Sequence, residues 1–157
     1  MAVKKPLVLG ADGRPQQLQS GDSLGVTSET GQFSMTAGAA LIAGQAVYVS
    51  GAAAVNKARA NAGATTVLQG LAAAAISNGV SGTIQLNGVL TLSTAEWDAV
   101  AGTTGGLTPG ATYYLSAGTA GLLTATCPTT TGQYVVIAGV ALSTVDFDIR
   151  ISEPILL

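Results

Sequence analysis

The 157-residue sequence predicts an all-β fold: a small β-barrel or β-sandwich built from two related halves, with one short helix and an extended N-terminal arm. Three observations predict it. Short runs rich in β-branched and aromatic residues, such as AVYVS (46–50) and TYYLS (112–116), recur between Gly-containing turns. Other runs alternate with period two. In the last of these, Phe147, Ile149 and Ile151 fall on one face and Asp146, Asp148, Arg150 and Ser152 on the other. Finally, the second half of the chain repeats the element order of the first.

Residues 1–35 read as an extended arm and lead-in. Lys4 and Lys5 precede a short apolar run, Leu7-Val8-Leu9, followed by a turn over Gly10–Pro15 and a Gln-rich polar segment. Residues 36–157 read as a single β domain with repeat units at about 36–92 and 103–157. Aligned, Leu41 matches Leu107, Gly44 matches Gly110, Tyr48 matches Tyr114 and Ser50 matches Ser116. VLQGLAAAAI (67–76) then matches VVIAGVALST (135–144), with Gly70 opposite Gly139, and TIQLNG (83–88) matches DIRISE (148–153). Alanine favours helix in 71–76, but the match to a Val-rich segment favours strand. Between the units, Ser93 and Glu96 have capping-box spacing. A helix is therefore predicted from about Thr94 to Val100, ended by Gly102, with Trp97 anchoring it to the β body.

Composition narrows the function. Charged residues are 9% of the chain, the net charge is −2, and the six Lys and Arg are scattered, which argues against a nucleic-acid surface. The longest apolar stretch, 70–76, is far short of a membrane span, and the N-terminal apolar run is too short for a secretory signal. Histidine is absent, so the commonest general base and metal ligand is missing.

No set of residues assembles into a mechanism, and no enzyme activity, cofactor or metal site is expected. Cys127, the only cysteine, reads as a buried or semi-buried small side chain, with an interchain disulfide as the alternative. Glu96 and Asp98 sit two apart on the helix and point to different faces, and their place near its N-terminus explains them electrostatically. Asp146, Asp148 and Arg150 form a polar strand face too poor in oxygen ligands for calcium. The Gly102–Gly110 stretch lacks the Gly-Lys-Ser/Thr ending of a phosphate loop.

The front segment, residues 5–22, resembles N-terminal segments of tailed-bacteriophage structural proteins. The body resembles small virion proteins of these phages, such as capsid decoration (cement) and head-fibre proteins. The residues carrying this are GQAVYVS (44–50), residues 67–100, GGLTPGATYYLS (105–116) and GQYVVIAGVALS (132–143). The resemblance implies a non-enzymatic protein on the outer surface of the virion capsid, homotrimeric, with the major capsid protein as partner and neither nucleic acid nor membrane. The arm is then the docking element, through Leu7, Val8, Leu9, Arg14, Gln16 and Leu18, adding a strand edge to another subunit. Two alternatives are a tail-fibre, collar or baseplate attachment protein, and a glycan-binding module with Tyr48, Trp97, Tyr113 and Tyr114 as its platform.

Overall fold

Five strands of the first half close on themselves. In the computed structural model, which describes residues 31–157 and the strands Leu7–Leu9 and Pro15–Gln17, these five follow a separate N-terminal pair. That pair is β1 (Leu7–Leu9) and β2 (Pro15–Gln17), antiparallel, with Val8 opposite Gln16. The barrel comprises β3 (Gln32–Ala37), β4 (Ala46–Gly51), β5 (Ala54–Lys57), β6 (Gly70–Ala72) and β7 (Ser81–Gln85). Its order is β3-β5-β4-β6-β7, and β7 returns to β3; the β3–β5 contact is parallel and the others are antiparallel.

The second half repeats this plan. It comprises β8 (Gly88–Thr91), α1 (Thr94–Ala101), β9 (Thr112–Leu115), β10 (Leu123–Thr124), β11 (Tyr134–Val135), β12 (Ile137–Ala141), β13 (Asp146–Ile149) and β14 (Ile155–Leu156). Its main sheet runs β10-β9-β12-β13-β8, the order of β5-β4-β6-β7-β3 in the first half. β11 and β14 form a separate antiparallel pair. The chain is thus all-β with a closed barrel, as its sequence predicts. No helix among the described residues is long and apolar enough to cross a membrane.

The duplication extends to single hydrogen bonds. Gly44 and Gly110 both have positive φ (81° and 80°), and each donates its N–H over 2.8 Å, to the carbonyls of Ala72 and Ala141 respectively. Gly70 and Gly139 are also equivalent. A Cβ on Gly70 would overlap the carbonyl oxygen of Gln85, and one on Gly139 that of Asp148. Glycine is required at both because two backbones approach more closely than a side chain permits.

Four details differ from the sequence reading. The arm and body do not divide at residue 35, because β3 begins at Gln32 and is a stave of the barrel. Gly88–Thr91, placed in the first unit, pairs with β13 in the second sheet. The glycine contacts also set Gln85 equivalent to Asp148, and hence Ile84 to Phe147; the sequence alignment had set Ile84 opposite Ile149. A two-residue slip leaves every side chain on the same face, so alternation alone cannot detect it. The 67–76 stretch is strand only over Gly70–Ala72, with Ile76 bridging to Leu41.

Two cores hold the halves. Ala37, Leu41, Val47, Val55, Ala72, Ile76 and Ile84 fill the barrel. The larger core lies between the barrel and the second sheet. There Ala46 and Leu71 from the barrel meet Leu90, Leu92, Trp97, Val100, Tyr113, Leu115 and Phe147. The second sheet is not closed: β8 and β10 are its edges, and α1, in the connection from β8 to β9, packs beside β10. α1 begins with the predicted capping box, Ser93 N donating to Glu96 Oε2 (2.9 Å) and Glu96 N to Ser93 Oγ (3.3 Å). It ends at Gly102, whose φ is 65°. Trp97 is fully buried; its ring lies 5.4 Å from that of Phe147, and its Nε1 donates to the carbonyl of Val145 at 2.8 Å.

Gly139→Ala is expected to lower unfolding free energy by about 1–3 kcal/mol through forced backbone separation. Gly118→Ala, on an exposed loop where the new methyl meets only Ser116 Oγ at an ordinary contact distance of 3.7 Å, stays within about 0.5 kcal/mol of the parent. Denaturant melts of the two variants check this, and equal midpoints would contradict it.

Candidate interaction surface

The barrel is filled at one end and open at the other. Phe33, Met35, Val49, Gln69 and Leu86 line a mouth of about 170 Å³. Phe33 is paired across the sheet with Ile84, and Val49 with Val55, so each shares a sheet face with a residue of the barrel interior. Met35 packs against that same interior. The mouth is therefore the uncovered end of the barrel core, where Phe33 stands 61% exposed and Val49 45%. Exposure of this kind on neighbouring large apolar side chains makes the mouth a candidate interaction surface.

The lining contains no ionisable group, and Gln69 is its only polar side chain. The nearby amide of Gln85 is already committed: its Nε2 donates to the carbonyls of Asn87 (3.2 Å) and Val89 (2.9 Å). A ligand here is recognised by apolar contact and shape. Because the barrel is closed, its staves offer no free strand edge for pairing.

The N-terminal segment joins the body at this same end. Gly31 donates its N–H to Asn87 Oδ1 (3.0 Å), and its carbonyl accepts from the N–H of Leu86 (2.7 Å), a residue of the mouth. Of the predicted docking residues, Leu7, Val8 and Leu9 form β1 and Gln16 lies on β2. Arg14 and Leu18 lie outside the described residues. β1 is thus paired along one edge with β2 of the same chain, where the sequence reading had the arm add a strand edge to another subunit. Among the described residues, the other edge of each strand has no strand partner.

No protein-family model and no curated protein matches the chain.

Several of the charged residues serve local structure. Asp98 accepts from the backbone N–H groups of Gly106 (2.8 Å) and Gly105 (2.9 Å) and from the Thr103 hydroxyl, holding the loop after α1. It therefore secures the helix exit, where the sequence reading gave it an electrostatic role at the helix start. Asp146 accepts from Thr91 (2.6 Å) and Ser143 (2.8 Å), and Asp148 pairs with Arg150. Among the described residues, no three His, Cys, Asp or Glu side chains gather into a metal-binding group.

Two sequence expectations are corrected here. Cys127 is exposed, in a Thr- and Pro-containing loop with no strand to bury it. Trp97 and Tyr113 are fully buried, so with Tyr48 and Tyr114 they cannot form a glycan platform. Tyr113 packs edge-on to Phe147 at 6.0 Å and accepts the N–H of Thr108 (3.0 Å). The mouth itself escaped the sequence reading. QFSMTA (32–37) alternates Phe33, Met35 and Ala37 with polar residues, which is a strand signal sitting inside a stretch read as lead-in.

Three carboxyls are held below their ordinary values by hydrogen bonds: Asp98 by Gly106 first, Asp146 by Thr91 first, and Glu96 by Ser93. Groups depressed in the folded state stabilise it fully above their unfolded values, 3.8 for Asp and 4.5 for Glu. That contribution is lost as pH falls through the lower folded values. Melting temperature is therefore expected to hold steady down to about pH 5 and to drop below about pH 4. Asp146→Asn should flatten part of that drop in thermal melts at stepped pH, and an unchanged profile would refute the assignment.

Proposed function

We propose that the chain is a non-enzymatic structural protein of a tailed-phage virion that decorates the outer surface of the assembled capsid. The observation that carries this reading is the junction at Gly31. An N-terminal segment bearing the apolar strand β1 joins the compact body at the rim of its exposed apolar barrel mouth. A rigid body with a tethered apolar strand is the form of a clamp. Body and arm engage a shell together, and tethering raises the effective concentration of the second contact after the first has formed.

The 13 residues between β2 and Gly31 (18–30) span at most about 45 Å when extended. The charge-poor surface, with only Lys57, Arg59 and Arg150 as cations after residue 31, suits close packing against uncharged protein and gives a polyanion little to hold.

Deletion of residues 1–20 is expected to leave a folded body with an unchanged thermal melt that no longer co-sediments with capsids. Full binding by the truncated protein would remove the arm from this role. Averaged images of decorated particles test the location: density repeated over the head supports decoration. Density confined to one vertex or the tail would replace it with a fibre, collar or baseplate role.

A further inference from the structure

We infer that the mouth of the barrel is the seat for a second copy of this chain, and that it receives that copy's second half as the second sheet receives the first half within one chain. This contact goes beyond the capsid-binding reading and does not depend on it.

The internal repeat gives each apolar mouth residue a counterpart. Phe33 is opposite Ile84, and Leu90 is opposite Phe147, the equivalent of Ile84. Val49 is opposite Val55, as Leu115 is opposite Leu123. Two residues further along their strands, Met35 corresponds to Leu92 and Leu86 to Ile149. The four counterparts are buried, none more than 9% exposed, whereas Phe33 is 61% exposed and Val49 45%.

The first half buries them. Ala46 and Leu71, paired with each other, point away from the barrel interior into the larger core that holds Leu90, Leu92, Leu115 and Ile149, and Tyr48 and Ala73 pack against it. Gly44 abuts Leu92: a Cβ there would lie 3.1 Å from Leu92 Cδ1. Polar contacts seal the rim. Gln85 Nε2 donates to the carbonyl of Val89 (2.9 Å), and the N–H of Ala60 donates to that of Ser116 (3.0 Å).

The second half carries the same face toward solvent. Thr112 pairs with Val140 as Ala46 pairs with Leu71, and Tyr114 and Leu142 stand where Tyr48 and Ala73 do. Leu142 is 52% exposed, and Thr112, Tyr114 and Val140 are half-buried. Gly110, the counterpart of Gly44, has open space where Gly44 meets Leu92. Each molecule therefore displays one uncovered mouth and one uncovered face, the two parts of a contact it already makes internally. Equivalence of position selects the occupant. It sets Gly110 of one copy against Met35 of the next, and the mouth, at about 170 Å³, has room for the bulk that Leu142 adds over Ala73. Asp148 stands where Gln85 does and cannot donate, but it holds the exposed Arg150, whose guanidinium can. Mouth and face differ, so the contact runs head to tail and closes into a ring when successive rotations complete a turn.

Light scattering of the purified full-length chain, without capsids, is expected to give a closed oligomer. Phe33→Asp in the mouth and Leu142→Asp on the face should each shift it to monomer. Both positions are more than half exposed, so circular dichroism and the melt should not change. Cross-linking then fixes the register. Ser50 is the counterpart of Ser116, and Cys127, four residues after Leu123, is the counterpart of Arg59, whose Nε donates to the carbonyl of Ala117 (3.0 Å) in the internal contact. A short bis-maleimide should therefore join a tagged Ser50→Cys, Cys127→Ser chain to the Cys127 of an untagged parent chain, and neither chain should link to itself. A monomeric parent would overturn the inference. So would an oligomer that survives either Asp substitution, or one that yields no Ser50–Cys127 product. An oligomer lost on deleting residues 1–20 but kept by Leu142→Asp would make the arm the occupant and overturn it equally. Because the readout is the mass of the free protein, failure here leaves capsid binding untouched, and failure to bind capsids leaves this result standing.

Discussion

Two backbone contacts set the geometry on which both halves are built. At Gly70 and at Gly139 a strand passes its neighbour so closely that a single methyl would overlap a carbonyl oxygen. In the first half this close passage sits in the wall of the barrel, where β6 lies between β4 and β7. A barrel of only five strands has an interior just wide enough for small side chains, and Ala37, Val47, Val55, Ala72 and Ile84 fill it. The same glycine on β12 lets Phe147 lie directly against the strand beside it, where Trp97 and Tyr113 then close around its ring. Packing at these two positions has no slack, which is why the halves keep matching hydrogen bonds while their side chains diverge.

The halves diverge where each closes. In the first, eight residues (38–45) connect β3 to β4, and β3 reaches β5 to complete the barrel. In the second, the equivalent connection from β8 to β9 carries α1, and the edges β8 and β10 stay apart. The helix does with one side chain what strand pairing does in the first half: Trp97 fills the opening and satisfies its indole N–H on Val145. Gly44, in the turn of the first half, abuts Leu92, Trp97 and Val100 of the second. The two units therefore share one core.

This asymmetry places the exposed apolar mouth. Covering the second sheet with α1 draws its apolar side chains into the shared core, and the barrel is left with an uncovered end. Phe33, Met35, Val49 and Leu86 remain there, beside the point where the arm joins the body. Adhesion through apolar fit suits a component of a large assembly, in which many modest contacts act together.

Much was legible in the sequence because the signals are local. Strand alternation, the Ser93–Glu96 capping box, the Gly102 stop and the paired glycines at 44/110 and 70/139 all depend on residues near one another or on direct comparison of the two halves. Tertiary structure alone decided the rest. Period-two patterning is blind to a two-residue slip, so it could not fix Ile84 against Phe147. It is equally blind to which sheet a strand joins, so β8 was assigned to the wrong half. Nor does an aromatic residue announce its surroundings: Trp97 and Tyr113 are buried in the core between the barrel and the second sheet, and Phe33 is exposed at the uncovered mouth. Sequence determined the pieces and their repetition; closure of the β3–β5 seam, a contact between distant segments, decided which face was left open.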